Sequence, residues 1–81
     1  MSGPQRILVI DDEESVRDVV RAYLEKDGFT VFTAAGGREG LALAERKQPD
    51  LIVLDLMLPD VSGEEICEEV RSRSDVPIVM L

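Results

Sequence analysis

Five residues, Leu51-Ile52-Val53-Leu54-Asp55, constrain this chain more than any others. Four apolar residues in a row, two of them β-branched, suit a strand buried on both faces of a parallel sheet. Nothing in such a run calls for a carboxylate at its end, so Asp55 is expected where the strand leaves the core. Pro59 and Ser62-Gly63 then force a loop. Ligands bind at the carboxyl ends of strands in open parallel sheets. The plainer alternative is that Asp55 only caps the following turn. A second acidic strand end would weigh against that alternative, and Asp11-Asp12 supplies one.

Ile7-Leu8-Val9-Ile10 reads as the first buried strand and also ends on acid, Asp11-Asp12-Glu13. Val16, Val19, Val20, Tyr23 and Leu24 follow at helical period, giving one apolar stripe opposite Glu14, Arg17, Asp18, Arg21 and Glu25. Lys26-Asp27-Gly28 closes that helix, with Gly28 as its left-handed cap. Phe29 to Ala34 alternates loosely, as an edge strand does, with Phe29, Val31 and Thr33 on one side. After Gly36-Gly37, a second helix over Arg38 to Lys47 packs through Leu41, Leu43 and Ala44, and Gln48-Pro49-Asp50 stops it. Glu64 to Arg73 gives a third helix with Ile66, Cys67 and Val70 inward, its Glu64, Glu65, Glu68 and Glu69 forming a solvated face. Ser74-Asp75-Val76 turns the chain into a last strand, Ile78 to Leu81, opened by Pro77. Cys67 at that spacing reads as a core residue rather than a reactive thiol.

Strands alternating with helices through short connections predict a parallel sheet with right-handed crossovers and helices on both faces. In a sheet ordered 2-1-3-4 the first and third strands are neighbours. Asp11, Asp12 and Asp55 then converge in one crevice. Three crowded carboxylates repel one another, and a divalent cation resolves the conflict. Mg2+ takes oxygen ligands, using one or two carboxylates together with phosphate oxygens and water. The backbone carbonyl of Met57, just past Asp55, could supply a further ligand. Taken alone, Asp11-Asp12-Glu13 could equally be a helix cap; two strands both ending on Asp strengthen the site reading.

The charge balance points the same way. Nine Lys and Arg against seventeen Asp and Glu leave a net charge of −8, which suits a cation and not the phosphate backbone of a nucleic acid. Eighty-one residues allow one domain at most. One cysteine allows no intrachain disulfide and suits a reducing compartment. No signal peptide or membrane-spanning run is read, and Met1 to Gln5 is expected to be a disordered lead-in.

The run Ile7 to Glu13, the run Leu51 to Pro59 and the pair Ser62-Gly63 resemble the receiver domain of bacterial two-component response regulators. The similarity extends from about Arg6 to Leu81. Met57-Leu58-Pro59 and Pro77 to Leu81 are most similar to the branch that carries a winged-helix DNA-binding domain. The resemblance implies an α/β, flavodoxin-like open parallel sheet of order 2-1-3-4 with helices on both faces. It implies that Asp55 is the phosphoacceptor, that Asp11, Asp12 and Asp55 hold Mg2+, and that the Met57 carbonyl completes the protein's share. It further implies a histidine kinase as phosphodonor, a cytoplasmic location, and a DNA-binding output domain in a longer parent. The domain would be a self-modifying switch, not a turnover enzyme. Partner choice would fall on Ser15, Asp18, Val19 and Ala22.

The family pattern continues past the fourth strand with a Ser or Thr, a helix, a fifth strand ending near a Lys, and a last helix. This sequence has no counterpart of them. Residues 6–81 are therefore expected to be the N-terminal part of a receiver domain that keeps the cation site but is phosphorylated poorly and switches nothing. Self-association through the fourth strand and an uncovered sheet face is also expected. Two rivals share parts of this logic. A flavodoxin-like half-domain gripping a nucleotide or flavin would need a Gly-rich or Ser/Thr-rich loop after the first strand, where Asp11-Asp12-Glu13 would repel phosphate. An aspartyl-phosphate hydrolase would place a second Asp two residues past the nucleophile, where this chain has Met57. A shortened scaffold that folds or dimerises without signalling remains the alternative to a working switch.

Overall fold

The strands form because their apolar runs can be covered by helices, and their order follows from where the helices cross. The computed structural model describes residues 5–81. Its elements are β1 (Arg6–Ile10), α1 (Glu14–Lys26), β2 (Thr30–Ala34), α2 (Gly37–Lys47), β3 (Leu51–Leu54), α3 (Gly63–Arg71) and β4 (Ile78–Met80). The four strands make one sheet of order β2-β1-β3-β4, parallel throughout. Residues 1–4 of the expected lead-in lie outside the described residues. Gln5 already belongs to the ladder, its carbonyl accepting the Thr30 N–H at 2.9 Å.

Side chains alternate between two unequal cores. On one face Leu8, Ile10, Ala34, Ile52 and Leu54 meet Ile66 and Val70 of α3, with Leu41, Leu43 and Ala44 of α2 packed against them. On the other face Ile7, Val9 and Val31 meet Val20 and Leu24 of α1. Cys67 lies partly buried against the first core, as its spacing predicts.

This inequality corrects two expectations. The strand buried on both faces is β1, whereas Leu51 and Val53 of β3 are only half-buried. Among the described residues α1 is the one helix on that face, and it lies over β1 and β2. For the same reason α1 uses only part of its apolar stripe. Val20 and Leu24 face the sheet, while Val19 and Tyr23 stand 68% and 74% exposed. Val79, paired with Val53 in the ladder, is 47% exposed on this flank.

The end of α1 agrees with its sequence signal, whereas α3 starts at Gly63 and stops at Arg71, two residues before the expected Arg73. Gly28 follows α1 with φ at 94°, and its N–H donates to the Glu25 carbonyl. Gln48 ends α2 in the left-handed region with φ at 50°. Ser62 caps α3 by accepting the Glu65 N–H at 3.1 Å.

One close approach fixes how α2 sits on the sheet. A Cβ at Gly40 would lie 2.4 Å from Ile10 Cδ1 and 2.8 Å from Ile10 Cγ1, and Ile10 is itself fully buried. Gly40→Ala should therefore destabilise the chain despite the better helix propensity of Ala. Overpacking outweighs the propensity gain by about 1–2 kcal/mol, readable as a lower urea midpoint at unchanged m-value. An Ala variant as stable as the parent would show that α2 can move off β1 freely.

Candidate metal centre

The ladder delivers the acids. β1 and β3 pair in the register Ile10 to Leu54, so Asp11 and Asp55 are the next residues along neighbouring strands. Both stay tied to the sheet by backbone bonds. The Asp55 N–H donates to the Ile10 carbonyl at 2.9 Å, and the Asp11 N–H donates to the Ala34 carbonyl at 3.1 Å. Asp12 follows at the turn into α1. The carboxylates of Asp11, Asp12 and Asp55 each offer an oxygen, and these oxygens all lie within 4.8 Å of one another.

The three differ in setting. Asp11 is 6% exposed, Asp55 half-buried and Asp12 exposed. Asp11 Oδ1 accepts the Glu13 N–H at 2.9 Å, and Asp55 Oδ1 accepts the Met57 N–H at 3.0 Å. Asp55 thus does shape the following turn, as the plainer reading held, but with one oxygen only. The helix-cap reading of the first acidic run fares worse, because the N-cap residue Glu13 makes no side-chain bond to α1. Arg17, placed by its spacing on the polar face of α1, folds back to donate to the backbone carbonyl of Asp11 at 2.8 Å. Among the described residues the ion pairs are Arg21 with Glu25 and Arg73 with Glu45 and Glu69, and none of them engages the three aspartates.

Unpaired hard oxygens crowded together are the donor set of a hard divalent cation. With metal–oxygen bonds of about 2.1 Å, opposite ligands of one Mg2+ stand about 4 Å apart. The oxygens of Asp11, Asp12 and Asp55 all lie within 4.8 Å of one another, a span of that order, so the residues present fit the ion. Of the four expected ligands, the structure brings the three side chains together. Met57 joins through its N–H on Asp55, at the edge of a cleft walled by Asp12 and residues 56–62. A larger groove of about 480 Å3 lies at the opposite end of the sheet between α2 and α3, lined by Leu41, Ala44, Pro49, Val70 and Arg73 among others. Among the described residues no comparable set of acids converges there.

One residue of this region was not foreseen. Asp60 reaches across the loop to the start of α2, where its carboxylate accepts the N–H groups of Gly37 at 2.8 Å and Arg38 at 3.1 Å. It also accepts the Val61 N–H at 2.9 Å. Gly37 and Arg38 lie more than twenty residues back in the chain, so no local spacing announces them.

Comparison with known proteins places these features in a family. A model of the response regulator receiver domain matches residues 7–81. The probable transcriptional regulator ycf27 of Porphyridium aerugineum is 48% identical over 77 residues, covering 95% of this chain and 32% of its own length. The alkaline phosphatase synthesis transcriptional regulatory protein PhoP of Bacillus subtilis is 47% identical over 78 residues, with the same coverage. The chain thus spans about a third of the length of the curated relatives it matches. Among solved structures, the chemotaxis protein CheY4 of Vibrio cholerae superposes with a TM-score of 0.92 at 37% identity, covering 96% of this chain and 68% of that one. The response regulator TrrA of Thermotoga maritima, in complex with Mg(2+)-BeF, superposes at 0.88 with 34% identity, covering 94% and 67%.

The bonds to Asp60 carry a pH consequence. The N–H groups of Gly37, then Arg38 and Val61, hold its carboxyl below the ordinary carboxylate value. A depressed folded pKa means that its stabilising contribution is complete above the unfolded value of about 3.9 and is lost as pH falls through the lower folded one. An NMR titration should find the Asp60 carboxyl and the Gly37 amide shifting together, at a midpoint below the ordinary Asp value. A midpoint at or above that value would mean the bonds do not persist in solution.

Proposed function

The chain belongs to the response regulator receiver domain family, and on that premise we propose that Asp55 is its phosphoacceptor, with Asp11, Asp12, Asp55 and the backbone carbonyl of Met57 holding Mg2+ beside it. One observation carries the reading. Two neighbouring strands and the turn after one of them bring three carboxylates within 4.8 Å, with no cationic side chain paired to them among the described residues. The Mg(2+)-BeF complex of the Thermotoga relative supports a Mg2+ site of this kind.

Receiver domains are signalling modules, not classical enzymes, and take their phosphoryl group from histidine kinases. In the proposed step an Asp55 carboxylate oxygen attacks the phosphorus of a kinase phosphohistidine. The P–N bond breaks, its electron pair returns to the imidazole, which takes up a proton, and Asp55 is left as an acyl phosphate. The Met57 N–H is donated to Asp55 Oδ1, which leaves Oδ2 as the oxygen without a hydrogen bond among the described residues. Asp11 and Asp12 keep the pocket anionic and ready for the ion, which when bound neutralises charge on the transferring oxygens. Positioning and neutralisation are the main contributions a protein makes to phosphoryl transfer. Water later cleaves the acyl phosphate, resetting the switch. In a longer parent the state of Asp55 would control a DNA-binding output, a reading supported by the transcriptional regulators among the relatives.

Incubation with acetyl phosphate and Mg2+ should add one phosphoryl group, mapped by fragmentation to Asp55 however small the modified fraction. The adduct should vanish when Mg2+ is chelated and in Asp55→Asn. Modification at another residue, or unchanged modification without Mg2+, would overturn the assignment.

A second reading concerns the 81-residue chain by itself. The outer edge of β4 is unpaired among the described residues, and Val79, Met80 and Leu81 are exposed beside it. An open edge of this kind is a template for pairing with a second copy. Light scattering should find a mass that rises with concentration, and Val79→Lys should suppress the rise. A monomer at every concentration would contradict self-association.

A further inference from the structure

We propose that Asp60 is a positioning residue, a latch that fastens the β3–α3 loop to the start of α2 and so holds Met57 at the acidic pocket. The inference rests on the metal reading above but concerns a residue outside the ligand set. The loop carries the proposed carbonyl ligand and is otherwise lightly held. Met57 is 82% exposed, and Leu56 is exposed beside it. Local bonds link Met57 to Asp55, Gly63 to Leu56 and Glu65 to Ser62. Among the described residues, the only hydrogen bonds from residues 56–62 to an element before β3 are those that Asp60 accepts from Gly37 and Arg38.

The latch has a matched receiver. Asp60 Oδ1 takes the N–H groups of both Gly37 and Val61, and Oδ2 takes that of Arg38. These donors include the orphan N–H groups of the first turn of α2, where the helix dipole also favours an anion. The approach is possible because residue 37 has no side chain. A Cβ there would stand 2.8 Å from Ile66 Cδ1 and 2.9 Å from Val61 Cβ, with Ile66 fully buried beneath. Gly37 therefore lets α2 and the loop close on each other, and Asp60 locks the closure. The loop's other supports are apolar: Leu58 and Val61 pack against the core formed by Ile66 and its neighbours. Such contacts resist lifting but direct no backbone carbonyl. The bonds to Asp60 are directional and fix the loop three residues past Met57.

Outer partners that orient metal ligands commonly change metal affinity by about 10–100-fold when removed. Mg2+ titration of the 81-residue chain, followed by the amide shifts of Asp12 and Met57, reads the effect. Urea unfolding without Mg2+ gives stability separately. Asp60→Ala should weaken Mg2+ binding about tenfold and shrink the Mg2+-induced shift at Met57 more than that at Asp12. Asp60→Asn should fall between that variant and the parent. Its amide oxygen keeps the Gly37 and Val61 bonds, while its NH2 opposes the Arg38 N–H. If Asp60→Ala fails to fold, Asp60→Asn carries the test alone, with a smaller loss of affinity and the same preferential effect at Met57.

Variants that lose stability yet bind Mg2+ within about twofold of the parent would overturn the latch as a positioning device. Should Asp12→Ala abolish Mg2+ binding at the same time, the metal reading would stand without it. A parent chain that binds no Mg2+ would overturn the metal reading and this inference together.

Discussion

The parallel pairing of β1 with β3 is the constraint on which the rest of the molecule depends. Once Ile10 lies beside Leu54, the next residues on both strands are aspartates, and the ladder gives them no choice of neighbour. The bond from the Asp55 N–H to the Ile10 carbonyl belongs to that ladder as much as to the pocket. Slipping the register by one residue would turn every core side chain of β3 to the wrong face. Burial of Ile52 and Leu54 on the α2/α3 side thus fixes the spacing of the acids at the strand ends. Hydrophobic packing, which discriminates little among acids, here decides which carboxylates must meet.

Crowding like charges without a cationic partner works against folding, and among the described residues the three-aspartate cluster lies at one end of the sheet. Elsewhere its excess of acid is spread over exposed helix faces, such as Glu64, Glu65, Glu68 and Glu69 on α3, where solvent screens it. Within the pocket the three acids are graded in exposure. Asp11 is buried and bonded to the Glu13 N–H, Asp55 is held at one oxygen by the turn it starts, and Asp12 faces solvent. Such a gradient would suit the proposed entry of an ion and a bulky phosphoryl donor from outside. Around it, α1 begins without a side-chain cap, and Leu56 and Met57 of the following loop are exposed.

Much of this was legible in the residues. Two apolar runs ending on Asp, separated by helical periodicity and turn signals, were enough to predict the order of elements and a parallel sheet; the strand order 2-1-3-4 came with the family resemblance, and the meeting of Asp11, Asp12 and Asp55 followed from that order. Three things were not legible, each for a physical reason. Periodicity marks which helix positions can be buried and not how many partners arrive, so Val19 and Tyr23 looked like core and are exposed. An apolar run does not say whether both of its faces are covered, so β3 looked fully buried while β1 is the strand that is. Nothing local singled out Asp60, because its donors Gly37 and Arg38 are distant in the chain. Gly36-Gly37 was read only as a breaker, although the missing Cβ at Gly37 is what admits the loop. Local signals identify residues that end an element, whereas a bond between two ends appears only when the elements are packed.

The central claim is that the three carboxylates form one cation site distinct from the general acidity of the surface. Mn2+, which shares the oxygen-ligand preference of Mg2+, reports its own location by broadening nearby amide resonances. Sub-stoichiometric Mn2+ added to the 15N-labelled chain should broaden Asp12, Asp55 and Met57 first, and excess Mg2+ should restore them. Broadening that begins along Glu64 to Glu69, or that spreads over all acidic residues alike, would contradict the account and leave a sheet with two acidic strand ends and no site between them.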